Sequence, residues 1–512
     1  MKYHILFFAG FLIMSLIVAC DKDPEVVTES VVTTEITEPD VVVIETEKGE
    51  NHDDSEDYSW DTADVVYIDL NGNSIIVQGS GAMAIGSVVT IASSGTYSLN
   101  GTLSDGQIII DTEDKEIVRI ILNEVDLNCA SNAPIYVQNS EKTMIVLPAG
   151  TKNVVSDGTA YTSDEEDAHA AIFSKDPLTF FGDGQLSVYG NYKDGISSND
   201  GIIIASGTIS VNAKDDGILG KDYLIIKDGA ITLNVEGNGL LSNKEDDVEK
   251  GYILIYDGLL EITAAGDAIQ AETDVIVFDG NITASSGGGS NNNVCSEKSA
   301  KGIKAGLNLI IHAGTINIDA AEDALYSDID LGLYGGTFYI TAGDDGMHAE
   351  ADLYIENSFI QITKSYEGIE SYAGSITINS GEIHITSSDD AINIAAGGDG
   401  NSGQGSSSTN YILKINGGYI VIDASGDGID SNGDFTVTGG TVIVSGSSAK
   451  SNSAIDCDGS FLSNGGLLIA TGTSQMAKAP NSTSEQYAVM VNFSSAKQAG
   501  TIVHIQNTEG DN

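Results

Sequence analysis

From about residue 190 onward, apolar and polar positions alternate in short runs, and no stretch follows the 3.6-residue rhythm of a helix. Leu224-Ile225-Ile226, Leu309-Ile310-Ile311 and Leu353-Tyr354-Ile355 form one set of runs. Each run of a second set follows a glycine: Gly314-Thr315-Ile316-Asn317-Ile318, Gly336-Thr337-Phe338-Tyr339-Ile340 and Gly381-Glu382-Ile383-His384-Ile385. Period two with Ile, Val and Thr predicts strands with one buried face. Between the sets a turn recurs: an acid or Asn, then Gly or Ala, then an aliphatic residue. It appears as Asp194-Gly195-Ile196, Asp216-Gly217-Ile218, Asn238-Gly239-Leu240, Asp267-Ala268-Ile269, Asp323-Ala324-Leu325, Asp345-Gly346-Met347, Glu367-Gly368-Ile369, Asp390-Ala391-Ile392 and Asp427-Gly428-Ile429. Lys301-Gly302-Ile303 takes the same place with a cation. Neighbouring copies lie 22 or 23 residues apart, except where insertions such as Ser285–Gly289 or 397–409 lengthen the interval.

A unit this short cannot be a propeller blade, which needs about 40 residues and four strands. It fits one coil of an all-β parallel β-helix, with Ile, Val and Leu stacking inward and coils about 4.8 Å apart. Residues 65–165 are strand-rich but less regular, as in Val118-Arg119-Ile120-Ile121-Leu122, and read as the first, worn coils. The solenoid is expected over 65–485, and 486–512, where the signature is lost, is expected to be a C-terminal β cap over the open strand edges.

The N-terminus reads as an address. Met1-Lys2, an apolar run from Ile5 to Val18 and Ile17-Val18-Ala19-Cys20 predict a lipoprotein signal peptide over 1–20, with Cys20 the lipidated residue. Residues 21–64, rich in Val, Thr, Glu and Asp, are expected to be an acidic flexible tether. The protein is then anchored by lipid in the cell envelope, on the extracellular surface or in the periplasm, and touches membrane only through that anchor.

Charge narrows the partners. Asp and Glu total 75 against 22 Lys and Arg, a net charge of −53. Such a chain lacks the basic stripe that nucleic acid requires, and it gains nothing from an anionic lipid surface. Cys129, Cys295 and Cys457 are too few and too irregularly spaced for a zinc pattern or a disulfide framework, and read as core or loop thiols.

Several turn segments carry a more specific likeness: Asn191-Tyr192-Lys193-Asp194-Gly195-Ile196, Asp215-Asp216-Gly217-Ile218, Ser299-Ala300-Lys301-Gly302-Ile303-Lys304-Ala305 and Lys364-Ser365-Tyr366-Glu367-Gly368-Ile369-Glu370. From about residue 75 the chain resembles a bacterial carbohydrate-binding β-helix family whose members bind cellulose and acidic sugars and share a fold with polysaccharide lyases. The resemblance implies a right-handed, calcium-containing β-helix that binds polysaccharide without an evident enzymatic role.

Stacking would turn the repeat into columns of carboxylates. Candidate metal ligands are Asp215, Asp216, Glu322, Asp323, Asp344, Asp345, Glu350, Glu367, Glu370, Asp389 and Asp390. Acids one coil apart repel, and Ca2+ accepts six to eight oxygens in flexible geometry. Solvated turns are the alternative, since Asp-Gly is a good turn former, but Glu322, Glu350, Glu367 and Glu370 are not explained by turn preference.

For a glycan, Tyr339 and His384 are expected to share one outward column with Asn317 and Gln361, and Tyr192, Tyr366 and Tyr372 are further contact candidates. Lys301 and Lys304 are the only positions suited to a lyase base; a structural counterion is the alternative for Lys301. The reading is a monomeric, non-catalytic, Ca2+-dependent binder of cellulose-like or pectin-like polysaccharide at the cell surface. A calcium-dependent polysaccharide lyase and a structural or adhesive surface protein are the alternatives.

Overall fold

The computed structural model describes residues 48, 50–162, 168–292, 298–394, 411–498 and 500–505. The signal segment with Cys20, most of the tether before residue 48, Cys295 and the insertion at 397–409 lie outside the described residues. Among those described there is no α-helix: two 3-10 turns, Ser55–Tyr58 and Thr62–Asp64, precede an unbroken succession of strands. The protein is all-β and β-helix-like.

A typical repeat holds three strands. Ile218–Gly220 lies on the turn motif, Tyr223–Ile226 follows it, and Ala230–Val235 follows a glycine. Each pairs in parallel with its counterpart in the next repeat: Leu240–Ser242, Tyr252–Ile255 and Leu259–Ala264. Repetition therefore builds three stacks. The short turn strands form a 16-stranded sheet, and the other two stacks belong to a 30-stranded sheet. They are joined at Val118–Cys129, a long strand whose first half pairs with Thr143–Val146 and second half with Lys152–Asp157. Antiparallel pairing occurs among the described residues only near the N-terminus, in Val65–Gly72 with Ile75–Gln78 and Ala82–Ile85 with Val88–Ile91. Insertions leave the register intact, since Leu240 pairs with Ile269 and Ile392 with Ile429.

Alternation decides the core. In Ala230–Val235 the side chains of Ile231, Leu233 and Val235 point inward and those of Ala230, Thr232 and Asn234 outward. Register then stacks like on like: Ile316, Phe338, Ile360, Ile383, Ile420 and Val442 form one fully buried column. The chain enters most long strands through a glycine in the left-handed region, such as Gly229 (φ 124°) and Gly314 (φ 107°), and Asn357 (φ 52°) takes that place before Ser358–Lys364.

Two expectations about the ends need correction. The tether was expected to be solvated as far as residue 64, but its last part, 48 and 50–60, packs as an arm across the outer face of the middle stack. Tyr58 and Trp60 lie edge-on to Phe181, and Arg119 donates to the Asp57 carbonyl. His52 bonds Tyr223 Oη (2.6 Å) and Thr179 Oγ1 (2.8 Å), Lys227 pairs with Asp53, and Lys48 pairs with Asp274. The arm is held because this face is itself apolar, with Ile203, Tyr223, Ile225, Tyr252 and Leu254 forming a second cluster outside the core. At the other end no β cap is seen: residues 486–498 and 500–505 contain no strand, and Tyr487 is fully exposed. The last strand is Leu467–Thr471, and the segment beyond it touches the preceding coil by isolated backbone bonds, Asn481 to Phe461 and Gln486 to Ser463, rather than by a ladder.

Truncating Phe338 to Ala opens a cavity between Ile316 and Ile360 and should cost about 3–5 kcal/mol. The expected outcome is a lower midpoint in chemical unfolding, followed by far-UV circular dichroism.

Candidate functional site

The turn column is a ladder of carboxylates bonded to backbone. At seven of the turn positions, though not at Lys301 or Glu367, one side-chain oxygen accepts the N–H of its counterpart in the next coil. Asp194 accepts from Asp216 (3.3 Å), Asp216 from Asn238 (2.7 Å), and Asn238 from Asp267 (2.8 Å). Asp267 accepts from Lys301 (2.6 Å), Asp323 from Asp345 (3.0 Å), Asp345 from Glu367 (3.1 Å), and Asp390 from Asp427 (2.5 Å). The Asp residues recur because each supplies an acceptor to an amide of the next coil.

The second oxygens are compensated unevenly. Asp323 holds Lys301 (2.5 Å), which lies 4.3 Å over the Tyr326 ring. His348 stacks on Tyr326 and reaches Asp345 (3.1 Å), Glu370 (2.7 Å) and Glu350 (3.6 Å). Burial opposes the charge on His348, but its bonds to Asp345 and Glu370 push it up to about 11. Glu370 is held below the usual range because His348 outweighs its burial, whereas burial and neighbouring acids push Glu367 to about 10 and Asp345 well up. Elsewhere Asp194 has His169 at 3.3 Å, yet burial and Asp216 raise it to about 8. Burial first and acidic neighbours second raise Asp390 and Asp430 to about 7, and burial raises Asp216 to about 6.

Of the expected ligands, the structure brings together Asp215 and Asp216 with Asp194, and Asp344 and Asp345 with Asp323. Glu370 joins Asp345 through His348, and Asp390 joins Asp427 and Asp430. Glu322 instead accepts from the Ala300 N–H, Glu350 from Tyr326 Oη, and Asp389 is only half-buried. His348 and Asn393 were not anticipated; both lie three residues after a turn acid, as Glu370 and Asp430 do. Lys301 is a counterion, and Lys304 is an outward residue in register with Gln270 and Tyr326.

On the long-strand stack, Thr232, Glu261, Thr283, Asn317, Tyr339, Gln361 and His384 fall in one outward column, as the repeat spacing implies. They line a shallow trough of about 570 Å³, except for His384, which continues the column beyond it. Its lining includes two carboxylates, Glu261 and Asp319, and no Lys or Arg. At one end rings zigzag between this column and its neighbour: Tyr339 to Phe359 at 5.9 Å, Phe359 to His384 at 6.2 Å, and His384 to Tyr419 at 6.0 Å. Tyr339 and Tyr419 are each 44% exposed. Phe359 and Tyr419 were missed, though both stand at the start of a long strand, Phe359 second in Ser358–Lys364 and Tyr419 first in Tyr419–Ala424. The other aromatic candidates lie apart: Tyr192 stacks on Tyr161 (4.4 Å), and Tyr366 and Tyr372 sit in turns.

The family model for carbohydrate-binding domain-containing proteins matches residues 85–346. A carbohydrate-binding domain-containing protein of Acetivibrio thermocellus is 41% identical over 203 residues, 39% of this chain and 71% of the relative. The solved structure of the polysaccharide lyase-like protein from C. thermocellum, in a gadolinium derivative, is similar with 29% identity and a TM-score of 0.43, covering 44% of this chain and 92% of the other. The chain belongs to the family of carbohydrate-binding domain-containing proteins.

The raised carboxyls fix the sign of a pH effect in metal-free protein. A carboxyl whose folded value exceeds its unfolded value favours the fold at low pH and loses that contribution as pH rises toward the folded value. His348, raised, likewise contributes fully below its unfolded value and loses it on approach to about 11. With chelator present, the melting temperature should fall from pH 5 to pH 8, which differential scanning fluorimetry would check.

Proposed function

We propose that the protein is a non-catalytic, calcium-dependent binder of polysaccharide, displayed at the cell envelope through a lipidated Cys20. Family membership supports the carbohydrate. The ring zigzag Tyr339–Phe359–His384–Tyr419 on a flat outward face carries the reading to a place. Its steps of 5.9 to 6.2 Å are near the length of one pyranose residue, and its rings, inclined to one another by 48° to 61°, can meet an extended sugar chain by face and edge in turn, with Asn317, Gln361 and Glu261 offering hydrogen bonds along the trough. The fold that supports it is a right-handed β-helix with coils of about 22 residues, a length at which side chains of successive coils fall into line. Calcium answers the charge of the carboxylate columns, which are oxygen-rich and built from turns.

A lyase reading fares worse on these contacts. A proton-abstracting Lys needs a lowered pKa, whereas Lys301 is buried but held up by Asp323 and Glu322.

The test is retention of the full chain on insoluble cellulose and on polygalacturonate gel, with calcium and with chelator. Tyr339→Ala combined with Tyr419→Ala should weaken retention about tenfold, the loss of two stacking contacts. Tyr366→Ala should leave it unchanged. Equal retention of the double variant and the parent would sink the platform.

A further inference from the structure

We propose that Asp390, Asp427, Asp430 and the side-chain oxygen of Asn393 form a cation site that staples the coil before the 394–411 insertion to the coil after it. This deepens the calcium part of the function proposed above and does not depend on the glycan part.

Three carboxylates whose oxygens lie within 4.8 Å of one another are not a site in themselves. The second observation is Asn393, only 6% exposed, whose Oδ1 is buried without a hydrogen-bond partner. Its Nδ2 donates to Glu367 Oε2 (2.6 Å) and Glu370 Oε1 (3.2 Å), both in the preceding coil. The ionised Glu370 on that side sets the amide orientation, because a flip would put the amide oxygen against its carboxylate. Oδ1 is therefore turned away from them, toward the following coil, where the register partner of Asn393 is Asp430. A buried acceptor without a donor, beside three acids, is costly unless something positive fills the space.

Among the described residues no cationic side chain does so at close range. Asp390 Oδ1 is used by the Asp427 N–H (2.5 Å), and Asp427 Oδ1 by the Ser453 N–H. Lys478, which lies beyond the following coil, is engaged by Asp456 (2.7 Å) and Asp458 (3.8 Å). The contrast with the run from Asp323 to Glu370 is chemical: there Lys301 and His348 stand where a metal would, and here every ligand atom is oxygen. An all-oxygen set of carboxylates and one amide carbonyl suits a hard ion, Ca2+ ahead of Zn2+.

The place gives the ion a structural task. Asp390 and Asn393 precede the insertion and Asp427 and Asp430 follow it, 37 residues further along the chain in the register of Asp390 with Asp427. An ion shared by both sides cross-links the coils where the chain departs from its repeat, and its binding free energy adds to folding.

The experiment titrates Ca2+ into the full chain by calorimetry and measures melting in calcium and in chelator, for the parent, Asp430→Asn and Asp390→Asn. Asn at 390 keeps the acceptor for the Asp427 amide, so this variant guards against simple unfolding. The expected result is one bound equivalent fewer, or that equivalent weakened about tenfold or more. Melting should also change sign: the variants melt above the parent in chelator, where a repelling charge has gone, and below it in calcium. Unchanged stoichiometry and affinity in both variants would overturn the proposal, as would a melting difference of one sign in both buffers. Loss of glycan retention in the Tyr339/Tyr419 variant with the calcium equivalent intact is expected if the two readings are separate. Parent protein that keeps this equivalent but binds no glycan counts against the glycan reading alone.

Discussion

In a stack of parallel strands the nearest neighbour of a side chain is its own counterpart in the next coil. Every position must therefore tolerate a near copy of itself about 4.8 Å away. Inside, that rule is easily met: Ile over Ile over Phe excludes water without a polar group to satisfy. On the outer surface of the middle stack it yields ring on ring, from Tyr256 through Phe278 and His312 to Tyr334, at 4.8 to 5.5 Å. Further along the same file the rings give way to amides, with Asn416 donating to Asn379 and Asn379 to Tyr354. Only the acidic edge meets the rule at a cost. Each Asp there accepts the amide of the next coil, and its buried charge is opposed by Lys301, His169 or His348 where one of these lies beside it.

Much of this was legible in the sequence. Period-two alternation named the strands, and the interval between Asp-Gly turns named the stacking, because both follow from backbone geometry. The outward column from Asn317 to His384 could be read by counting from Gly314, Gly336 and Gly381, since no bulge intervenes before the inward Ile362. The third strand of each repeat was harder to see: Ile218–Gly220 is so short that it reads as part of its turn.

What the sequence hid lies where a residue's role comes from a partner far along the chain. Nothing local marks Asn393 as more than a polar residue in a strand; its meaning arises from Glu367 below and Asp430 above. The acids of the turn column looked like turn formers or ligands, and they proved to be acceptors for amides one coil away, a third role that only stacking creates. Tyr58 and Trp60 looked like part of an acidic tether because their binding face, around Phe181, belongs to strands more than a hundred residues later. The β cap expected over 486–512 puts no strand at Tyr487, Val489, Val491 or Phe493, and these side chains stay exposed.

The N-terminal arm also has a mechanical meaning. Force applied to the chain ahead of Lys48 would not first reach the hairpin at Val65 and peel strands away one at a time. It would load Lys48 on Asp274, His52 on Tyr223 and Thr179, Asp53 on Lys227, and Asp57 on Lys142 and Arg119 together, across strands of several coils. Contacts pulled in parallel share the tension, whereas contacts pulled in series fail at the weakest. Under tension arriving at Lys48 along its own line, the arm thus acts as a strain relief for the coils that it crosses.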